Sequence, residues 1–212
     1  MTQILDLDAL RDAPINSEYF PYCQVDCFIK KEVLLKVLKD FPEINIRGSI
    51  PAHRLALGPY FQKLIDELHH ADLKSLITEK FSLDLSESST LLTVRGQTTL
   101  RDGYIHTDTP SKLVTFLLYL NEDWIENTGN LRLLRDNSSL DNYFEEIIPT
   151  AGKLLVFQVT DNCWHGHYPF VGKRHTIQMN YVTHQKVVDK ELRKHSRSYT
   201  IKKLTRALNI GT

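Results

Sequence analysis

The sequence predicts a mainly β fold with flanking helices, either a jelly roll or a sandwich. From about residue 81 onward, short runs rich in Val, Ile, Leu, Thr and Tyr alternate with Gly, Asn, Asp and Ser clusters, as is typical of antiparallel strands. About seven such runs follow one another, which favours a jelly roll or sandwich. Before residue 81 the apolar residues recur at helical spacing instead.

Composition limits the classes of protein that are compatible with this chain. Its 212 residues suit one domain, and 42% hydrophobic with 25% charged residues excludes a disordered or fibrous protein. The 26 basic and 26 acidic residues cancel, so no net field indicates a nucleic-acid or membrane-surface protein. No apolar run of about 18 residues and no signal-peptide pattern is present, so we expect a cytoplasmic protein. Cys23, Cys27 and Cys163 are expected to be free thiols.

The predicted elements divide the single domain, residues 1–212, into three parts. Residues 1–80 are expected to form a helical N-terminal support, which is irregular up to about Phe28 because Pro14 and Pro21 interrupt it. A helix over residues 30–42 and another from Pro59 to about Thr78 follow from their apolar spacing. Residues 81–184 are the β core, and residues 185–212 are a C-terminal helical extension.

The predicted strands of the β core lie between turn residues. They are TLLTVRG (90–96), GYIHTD (103–108), KLVTFLLYLN (112–121), GNLRLLR (129–135), FEEIIP (144–149), GKLLVFQV (152–159) and RHTIQMNYVT (174–183).

The C-terminal extension is strongly basic. It carries eight Lys or Arg residues against Asp189 and Glu191, and a few apolar residues share one helical face. A solvated amphipathic helix packed on the barrel explains this pattern, and a partner-binding helix is the alternative.

Candidate metal ligands occur in the β core. His106 and Asp108 are two residues apart in a predicted strand, so their side chains leave the same face. His165, just past the strand GKLLVFQV, is a candidate third ligand. Two imidazoles and one carboxylate on one face are the arrangement of non-haem Fe(II) oxygenases. A His-x-Asp triplet alone is a weak signal, and the alternative is a surface strand with polar side chains facing water.

Arg174 strengthens the metal interpretation. A guanidinium buried in a barrel needs a carboxylate partner, and the neighbouring sequence offers no acidic residue. A dicarboxylate cosubstrate would complete the pair, with one end on the metal and the other on Arg174. His167 is an alternative distal ligand, and His165 is the histidine that lies nine residues before Arg174.

At these residues the chain resembles the 2-oxoglutarate and Fe(II)-dependent oxygenases. Over about residues 92–183 it is similar to the prolyl hydroxylase branch, in the runs HTDTPSKLVTFLLYLNEDW, GNLRLLR and IPTAGKLLVFQVTDNCWHGHYPFVGKRHTIQ. The resemblance implies a double-stranded β-helix core packed against the N-terminal helices. It makes His106, Asp108 and His165 the iron ligands, and Arg174 the partner of the 2-oxoglutarate C5 carboxylate. Tyr119 would donate a phenol hydrogen bond to the same carboxylate. Tyr104 and Thr115 are candidates to face the same pocket, and the alternative for both is packing within the strands.

The resemblance also implies an activity. The cofactor and cosubstrates would be Fe(II), 2-oxoglutarate and O2, with ascorbate supportive, and the reaction would hydroxylate a C–H bond of a prolyl or other amino-acid residue in a peptide or protein. The alternatives are a hydroxylase of a free amino acid, sugar or lipid precursor, a nucleic-acid demethylase, and a non-enzymatic jelly-roll binding protein. The zero net charge and the absence of a basic stripe with aromatics disfavour nucleic acid.

The chain departs from the branch at several positions. Arg95, Gln97 and Arg101 precede the metal motif without a clear counterpart, so they are unassigned pocket candidates. Asn180 stands where the branch tends to place a bulky aromatic residue, which bears on the choice of a prolyl substrate.

Overall fold

The computed structural model describes residues 3–207 of the chain. The helices in this range are α1 (Leu7–Asp12), α2 (Lys31–Lys39), α3 (Pro59–Leu68), α4 (Ala71–Phe81) and α5 (Gln185–Ala207), with a 3-10 turn at Ala52–Arg54. The strands are β1 (Tyr22–Val25), β2 (Ile50–Pro51), β3 (Ser89–Thr98), β4 (Lys112–Tyr119), β5 (Leu131–Leu134), β6 (Tyr143–Ile147), β7 (Leu154–Gln158), β8 (His165–Gly166) and β9 (Gly172–Val182).

The strands form two antiparallel sheets, as the mainly β fold class predicts. The larger sheet has the order β1-β7-β4-β9-β3-β2, and the smaller has the order β6-β5-β8. Strands that are neighbours in a sheet are often distant in sequence, so the chain passes back and forth between the two sheets, as in a jelly roll. The fold is thus the jelly-roll core with flanking helices that the sequence predicts.

The two faces of the larger sheet have different partners. On β4, Val114, Phe116 and Leu118 pack into the apolar core with the helices, whereas Thr115 and Leu117 line a cavity on the opposite face. This follows from the strand period of two residues. The same alternation on β3 and β9 turns four more side chains toward the cavity: Thr93, Arg95, Thr176 and Gln178.

The N-terminal helices cover the apolar face of the larger sheet. Val33 and Val37 of α2 and Phe61, Leu64 and Leu68 of α3 are buried in the same core. Their spacing of three or four residues places them on one side of each helix. Burial of each such side chain contributes about 1.5–3 kcal/mol to folding. The helical layer therefore holds the sheet rigid while leaving the cavity face free.

The N-terminal part contains more regular structure than the sequence predicts. The segment up to Phe28, predicted to be irregular, includes α1 and β1, and β1 pairs with β7. The single helix predicted from Pro59 to Thr78 is two helices, with the break at His69 and His70. The apolar spacing does not reveal the break because α3 and α4 both pack against the same core.

Residues 103–108 do not form the strand that the sequence predicts. In this segment His106 forms an isolated antiparallel bridge to His165, and the Gly103 carbonyl accepts a hydrogen bond of 2.9 Å from the His167 N–H. A turn precedes the segment, because the Asp102 N–H donates to the Thr99 carbonyl at 3.0 Å. Gly103 then has a φ of 103°, which is outside the strand region. The metal motif therefore lies on a loop edge.

Residues 185–207 of the predicted C-terminal extension form α5, which packs against β2, β3 and β9, and residues 208–212 lie outside the described range. Val188 of α5 is buried against Leu91 and Val182 at one end of the larger sheet. None of the helices within residues 3–207 combines the length and the apolar character needed to cross a membrane.

Candidate active site

A backbone bridge brings two histidines of the predicted metal motif together. The His106 N–H donates to the His165 carbonyl at 3.0 Å, and the His165 N–H donates back at 2.9 Å. The two rings then lie with their centroids 4.3 Å apart. Each Nδ1 is 2.8 Å from the carbonyl oxygen two residues upstream, at Tyr104 and Cys163 respectively. Because a carbonyl only accepts, each Nδ1 carries the proton, and each Nε2 is left as a free ligand atom.

Asp108 completes a compact group of ligand atoms. One atom from each of His106, Asp108 and His165 lies within 4.8 Å of the other two. Two nitrogens and one carboxylate oxygen at this separation fit a small divalent ion and leave further coordination positions open. The structure thus brings together the three residues that the sequence singles out as metal ligands.

Hydrogen bonds fix the carboxylate of Asp108 in this group. Lys112 Nζ lies 2.6 Å from Oδ1, and the Thr115 hydroxyl donates to Oδ2. Thr115 in turn accepts a hydrogen bond of 2.7 Å from Asn180 Nδ2. Thr115 and Asn180 are partners in the β4–β9 register, so the sheet itself aligns this relay. Asp108 is therefore held by two neighbouring strands rather than by its loop alone.

The electrostatic environment keeps His165 neutral and Asp108 ionised. Burial lowers the pKa of His165 to about 4, with the neighbouring His106 adding to the effect, so the imidazole is neutral at physiological pH. Burial works to raise the pKa of Asp108, but the Lys112 ammonium and the hydrogen bonds to the carboxylate hold it below its usual range. Neutral imidazoles and an ionised carboxylate are the protonation states that metal ions require.

Arg174 and Tyr119 present a pair of unpaired donors. Arg174 is buried, and its Nε donates to the Gly129 carbonyl at 3.0 Å. Its guanidinium carbon lies 5.3 Å from the centroid of the Tyr119 ring. Within residues 3–207, Arg174 Nη2 and Tyr119 Oη are buried without a hydrogen-bond partner. Burial raises the pKa of the Tyr119 phenol, which keeps it protonated as a donor.

These orphaned donors fit a carboxylate that the protein itself does not supply. No carboxylate in the described part of the chain pairs with Arg174, as the sequence predicts. Leaving a buried charged donor without a partner is costly, so the pair is suited to an acceptor that enters with a ligand. The end of a dicarboxylate matches this need.

The turn at Gly129 provides the carbonyl that accepts a hydrogen bond from Arg174. Gly129 has a φ of 82°, and a Cβ there would lie 2.9 Å from Phe170 and 3.0 Å from Trp124. Glycine at this position lets the carbonyl that accepts from Arg174 sit against the ring pair Trp124–Phe170, whose centroids are 4.9 Å apart. Trp124 thus has a packing role at the floor of the site.

One cavity of about 360 Å³ joins the ligand group to Arg174. His106, His165, Thr115 and Arg174 all line it. Tyr104 stands at its mouth with 68% of its surface exposed. Thr115 lies on the wall, with its hydroxyl committed to Asp108.

The unassigned pocket candidates separate into distinct positions. Arg95 lines the cavity, where its guanidinium pairs with Asp102 at 2.5 Å. Arg101 is exposed at the rim. Gln97 pairs with Lys173 further along the β3–β9 ladder. Asn180 is buried beneath Thr115, so it orients a side chain of the site instead of facing substrate.

Sequence reasoning missed several residues of the site. The sequence assigns no role to Lys112, although its position four residues after Asp108 is a visible signal. For His167 the sequence suggests only an alternative metal ligand. In the structure it is buried in the cavity wall, its Nδ1 donates to the Tyr168 carbonyl at 2.8 Å, and burial with the nearby Arg174 lowers its pKa to about 4. The link between Asn180 and Thr115 could be found only from the strand register.

Comparison with known families agrees with this geometry. Residues 97–182 match the family model of the 2OG-Fe(II) oxygenase superfamily, a range that contains the ligand group, Tyr119 and Arg174. Among curated protein sequences, none matches this chain.

Several solved structures share the fold. A prolyl-4-hydroxylase from Pseudomonas putida is similar with a TM-score of 0.58 and 17% identity, covering 84% of this chain and 92% of that one. A prolyl hydroxylase from Trichoplax adhaerens, solved with a peptide fragment of the hypoxia-inducible factor oxygen degradation domain, has a TM-score of 0.55 and 21% identity, with 81% and 85% covered. The viral collagen prolyl hydroxylase of Paramecium bursaria chlorella virus-1, in a 2OG complex, has a TM-score of 0.51 and 17% identity, with 78% and 96% covered.

The ligand group, the unpaired donors, the jelly-roll core and the family match are mutually consistent. Residues 97–182, the part of the chain that carries the ligand group, Tyr119 and Arg174, are thus similar to the 2OG-Fe(II) oxygenase superfamily, and the site fits the Fe(II) and 2-oxoglutarate that this superfamily uses.

Proposed function

We propose that this chain is an Fe(II)- and 2-oxoglutarate-dependent dioxygenase, and that it hydroxylates a C–H bond in a prolyl or other amino-acid residue of a peptide or protein. In this proposal His106, Asp108 and His165 hold Fe(II), and Arg174 with Tyr119 binds the far carboxylate of 2-oxoglutarate. The observation that carries it is a single cavity lined by His106 and His165 of the ligand group and by Arg174, whose Nη2 has no hydrogen-bond partner.

The residues of the chain have separable tasks in this reaction. When bound, iron and 2-oxoglutarate supply the oxidising chemistry with O2, in which 2-oxoglutarate is converted to succinate and CO2 while the substrate gains a hydroxyl group. Thr115 and Lys112 orient the Asp108 carboxylate, and the carbonyls of Tyr104 and Cys163 fix the tautomers of the two histidines. The protein thereby positions the ligands before any substrate arrives.

The shape of the cavity supports a polymeric substrate. A volume of about 360 Å³ that also has to accommodate 2-oxoglutarate leaves space for little more than one side chain. The rest of the substrate would then lie across the rim, where Tyr104 and Arg101 are exposed. The similar prolyl hydroxylase from Trichoplax adhaerens was solved in complex with a peptide, which is consistent with this arrangement.

The test is turnover of the purified chain with Fe(II), ascorbate, labelled 2-oxoglutarate and a pool of proline-containing peptides. We expect succinate and CO2 in equal amounts, and peptides that gain one oxygen atom, with both products absent for His106→Ala. Oxygen gain on free amino acids, sugars or lipid precursors, with none on peptides, would favour the small-molecule alternative. Oxidised methyl groups on nucleic acid would favour a demethylase.

Two broader predictions belong to the same proposal. The first is that the chain is one domain, in which residues 1–80 support the core of residues 81–184 and residues 185–212 extend it. Strands β1 and β2, which belong to the first part, also join the larger sheet. A cytoplasmic location is the second, and localisation of a tagged chain in its native cell tests it.

A further inference from the structure

A second cavity lies between α5 and the 3-10 turn Ala52–Arg54 that follows β2. Its volume is about 610 Å³. Half of its lining residues are basic: His53, Arg54, Arg193 and Arg197. The others carry hydroxyl or aliphatic side chains, and none of the lining residues is acidic. We call the cavity with these four residues the basic cleft.

The arginines of the basic cleft have no anionic partner. In the described range of the chain, Arg54, Arg193 and Arg197 form no ion pair or side-chain hydrogen bond, whereas Arg95 and Arg132 pair with carboxylates. Like charges gathered around one cavity repel each other, and an anionic ligand would relieve this repulsion. The positive charge stands out because the whole chain has a formal net charge of +0.

Apolar side chains adjoin the same face of α5. Ile201, four residues after Arg197, lines the cleft and is 64% exposed, and Leu204 is 58% exposed beyond it. Residues spaced three or four apart on a helix are surface neighbours, so cations and aliphatic groups form one continuous strip. No Phe, Tyr or Trp ring that would stack a base lines the cleft. This mixture fits a polypeptide segment with acidic and aliphatic side chains better than it fits a nucleic acid.

A short stretch of chain connects the basic cleft to the wall of the active-site cavity. Ser49, which lines that cavity, is joined through the two residues of β2 to the turn that bears His53 and Arg54. Extended chain covers about 3.3 Å per residue, so the two cavities are separated by only a few substrate residues. Lys202 of α5 also donates to the Arg47 carbonyl at 3.0 Å, which ties the helix to this rim.

We propose that the basic cleft binds an acidic segment of the polypeptide substrate, a few residues away from the residue that is hydroxylated. This inference rests on the proposed function, because it requires a peptide or protein substrate. The proposed substrate is therefore a polypeptide in which the residue to be hydroxylated is flanked by a segment with Asp or Glu and aliphatic residues.

The binding test compares two charge-matched variants of the full chain. Arg193→Gln with Arg197→Gln removes two positive charges inside the basic cleft. Lys186→Gln with Lys190→Gln removes two from exposed positions of the same helix that do not line the cleft. The probes are a labelled synthetic peptide with a central Pro and a flank of Glu, Asp and Leu, its Gln and Asn counterpart, and a single-stranded RNA of similar length. Fluorescence anisotropy gives the affinity, and circular dichroism shows that both variants fold.

We expect the acidic peptide to bind about tenfold more weakly to the arginine variant and with unchanged affinity to the lysine variant, because charge-assisted hydrogen bonds are lost only in the first. The Gln and Asn peptide should bind weakly to every form. Equal weakening by both variants would overturn the proposal, because overall charge would then explain binding. No preference for the acidic peptide, or tighter binding of the RNA through the same arginines, would also overturn it.

A kinetic measurement separates this proposal from the proposed function. With peptide substrates, the arginine variant should raise KM for acidic peptides while kcat and the peptide-independent turnover of 2-oxoglutarate stay at wild-type values. If the wild-type chain oxidises no peptide, the proposed function fails whatever the anisotropy shows. If it oxidises peptides and the arginine variant has a wild-type KM for the acidic ones, the cleft assignment alone fails.

Discussion

The carboxylate of Asp108 is the most closely controlled group at the residue scale. Lys112 and Thr115 each engage one of its oxygens, and Asn180 holds Thr115 from the neighbouring strand. Outer hydrogen bonds of this kind set the direction of a metal ligand and affect metal affinity nearly as much as the ligand itself. The relay gives Asn180 a structural reason to occupy a position where the prolyl hydroxylase-like pattern favours an aromatic residue.

Replacing Thr115 by Val should loosen the metal site. The change leaves Asp108 Oδ2 and the buried Asn180 amide without their partner, so we expect Fe(II) to bind about 10- to 100-fold more weakly. Thr93→Val is the control, because Thr93 is a buried threonine of the same cavity wall without a hydrogen bond to Asp108. Anaerobic titration calorimetry measures the Fe(II) affinity of both variants. Equal Fe(II) affinities for the two variants would contradict the relay.

Replacing Tyr119 by Phe should weaken 2-oxoglutarate binding specifically. The change removes one donor to a charged acceptor while keeping the ring beside Arg174, so we expect the Kd of 2-oxoglutarate to rise roughly ten- to hundredfold. Fe(II) affinity should stay at the wild-type value, since Tyr119 makes no contact with the ligand group. A weaker Fe(II) site with normal 2-oxoglutarate affinity would show that the phenol has another role.

Some residues of the site could be predicted from the sequence, whereas the contacts that orient them could not. His106, Asp108, His165 and Arg174 form a spaced motif. The structure brings the first three together and places His106, His165 and Arg174 on the wall of one cavity. The contact between Asn180 and Thr115 depends on how β4 and β9 align, which is fixed by tertiary packing and not by spacing along the chain.

At the scale of elements, the segment around His106 forms no regular strand, although hydrogen bonds fix the orientation of the His106 side chain. One bridge to His165 replaces the strand that the sequence predicts for residues 103–108. Gly103 makes the bridge possible, because a Cβ there would lie 2.2 Å from the His167 carbonyl oxygen. The close approach of these two segments places His106 and His165 side by side.

Replacing Gly103 by Ala should therefore damage both stability and the metal site. Gly152→Ala is a matched control: its φ of 84° is also positive, but its nearest contact is 3.7 Å away. We expect Gly152→Ala to cost about 1–2 kcal/mol of unfolding free energy from backbone strain alone and to leave Fe(II) affinity unchanged. Gly103→Ala should cost more and weaken Fe(II) binding, because the segment that carries His106 has to shift. Denaturant unfolding and Fe(II) titration check this, and normal Fe(II) binding by Gly103→Ala would contradict it.

Element predictions succeeded where a periodic pattern was long. Strands β3, β4, β7 and β9 and helix α2 follow the apolar periods of the sequence closely. The short strands β1, β2 and β8, with four, two and two residues, carry too few residues for a period and exist because a longer neighbour pairs with them. The break between α3 and α4 is similarly invisible, since the apolar face continues through it.

At the scale of the whole molecule, a neutral chain concentrates positive charge in two places. Arg174 is buried in the active-site cavity, and the basic cleft lies between α5 and the turn after β2. Both positions suit anionic groups, one on the cosubstrate and one on the proposed substrate flank. The formal net charge of +0 therefore says little about the ligands of this protein.

Cosubstrate and metal together should stabilise the folded chain. Under anaerobic conditions, ligand at about 100 times its Kd adds about 2.7 kcal/mol to the unfolding free energy. For a chain of this length, that corresponds to a rise in Tm of roughly 5–10 °C. The shift should disappear in His165→Ala, and an unchanged shift in that variant would mean that the ligands bind elsewhere.

The central claim is that His106, Asp108 and His165 bind Fe(II) next to a 2-oxoglutarate carboxylate held by Arg174. The most direct measurement is an anaerobic titration of the purified chain with Fe(II) and 2-oxoglutarate, followed by the visible charge-transfer absorption of the chelated keto acid. We predict an equimolar endpoint for the wild-type chain, no band for His106→Ala, and a band that requires much more 2-oxoglutarate for Arg174→Met. A wild-type chain without the band, or a His106→Ala chain that develops it fully, would contradict the assignment.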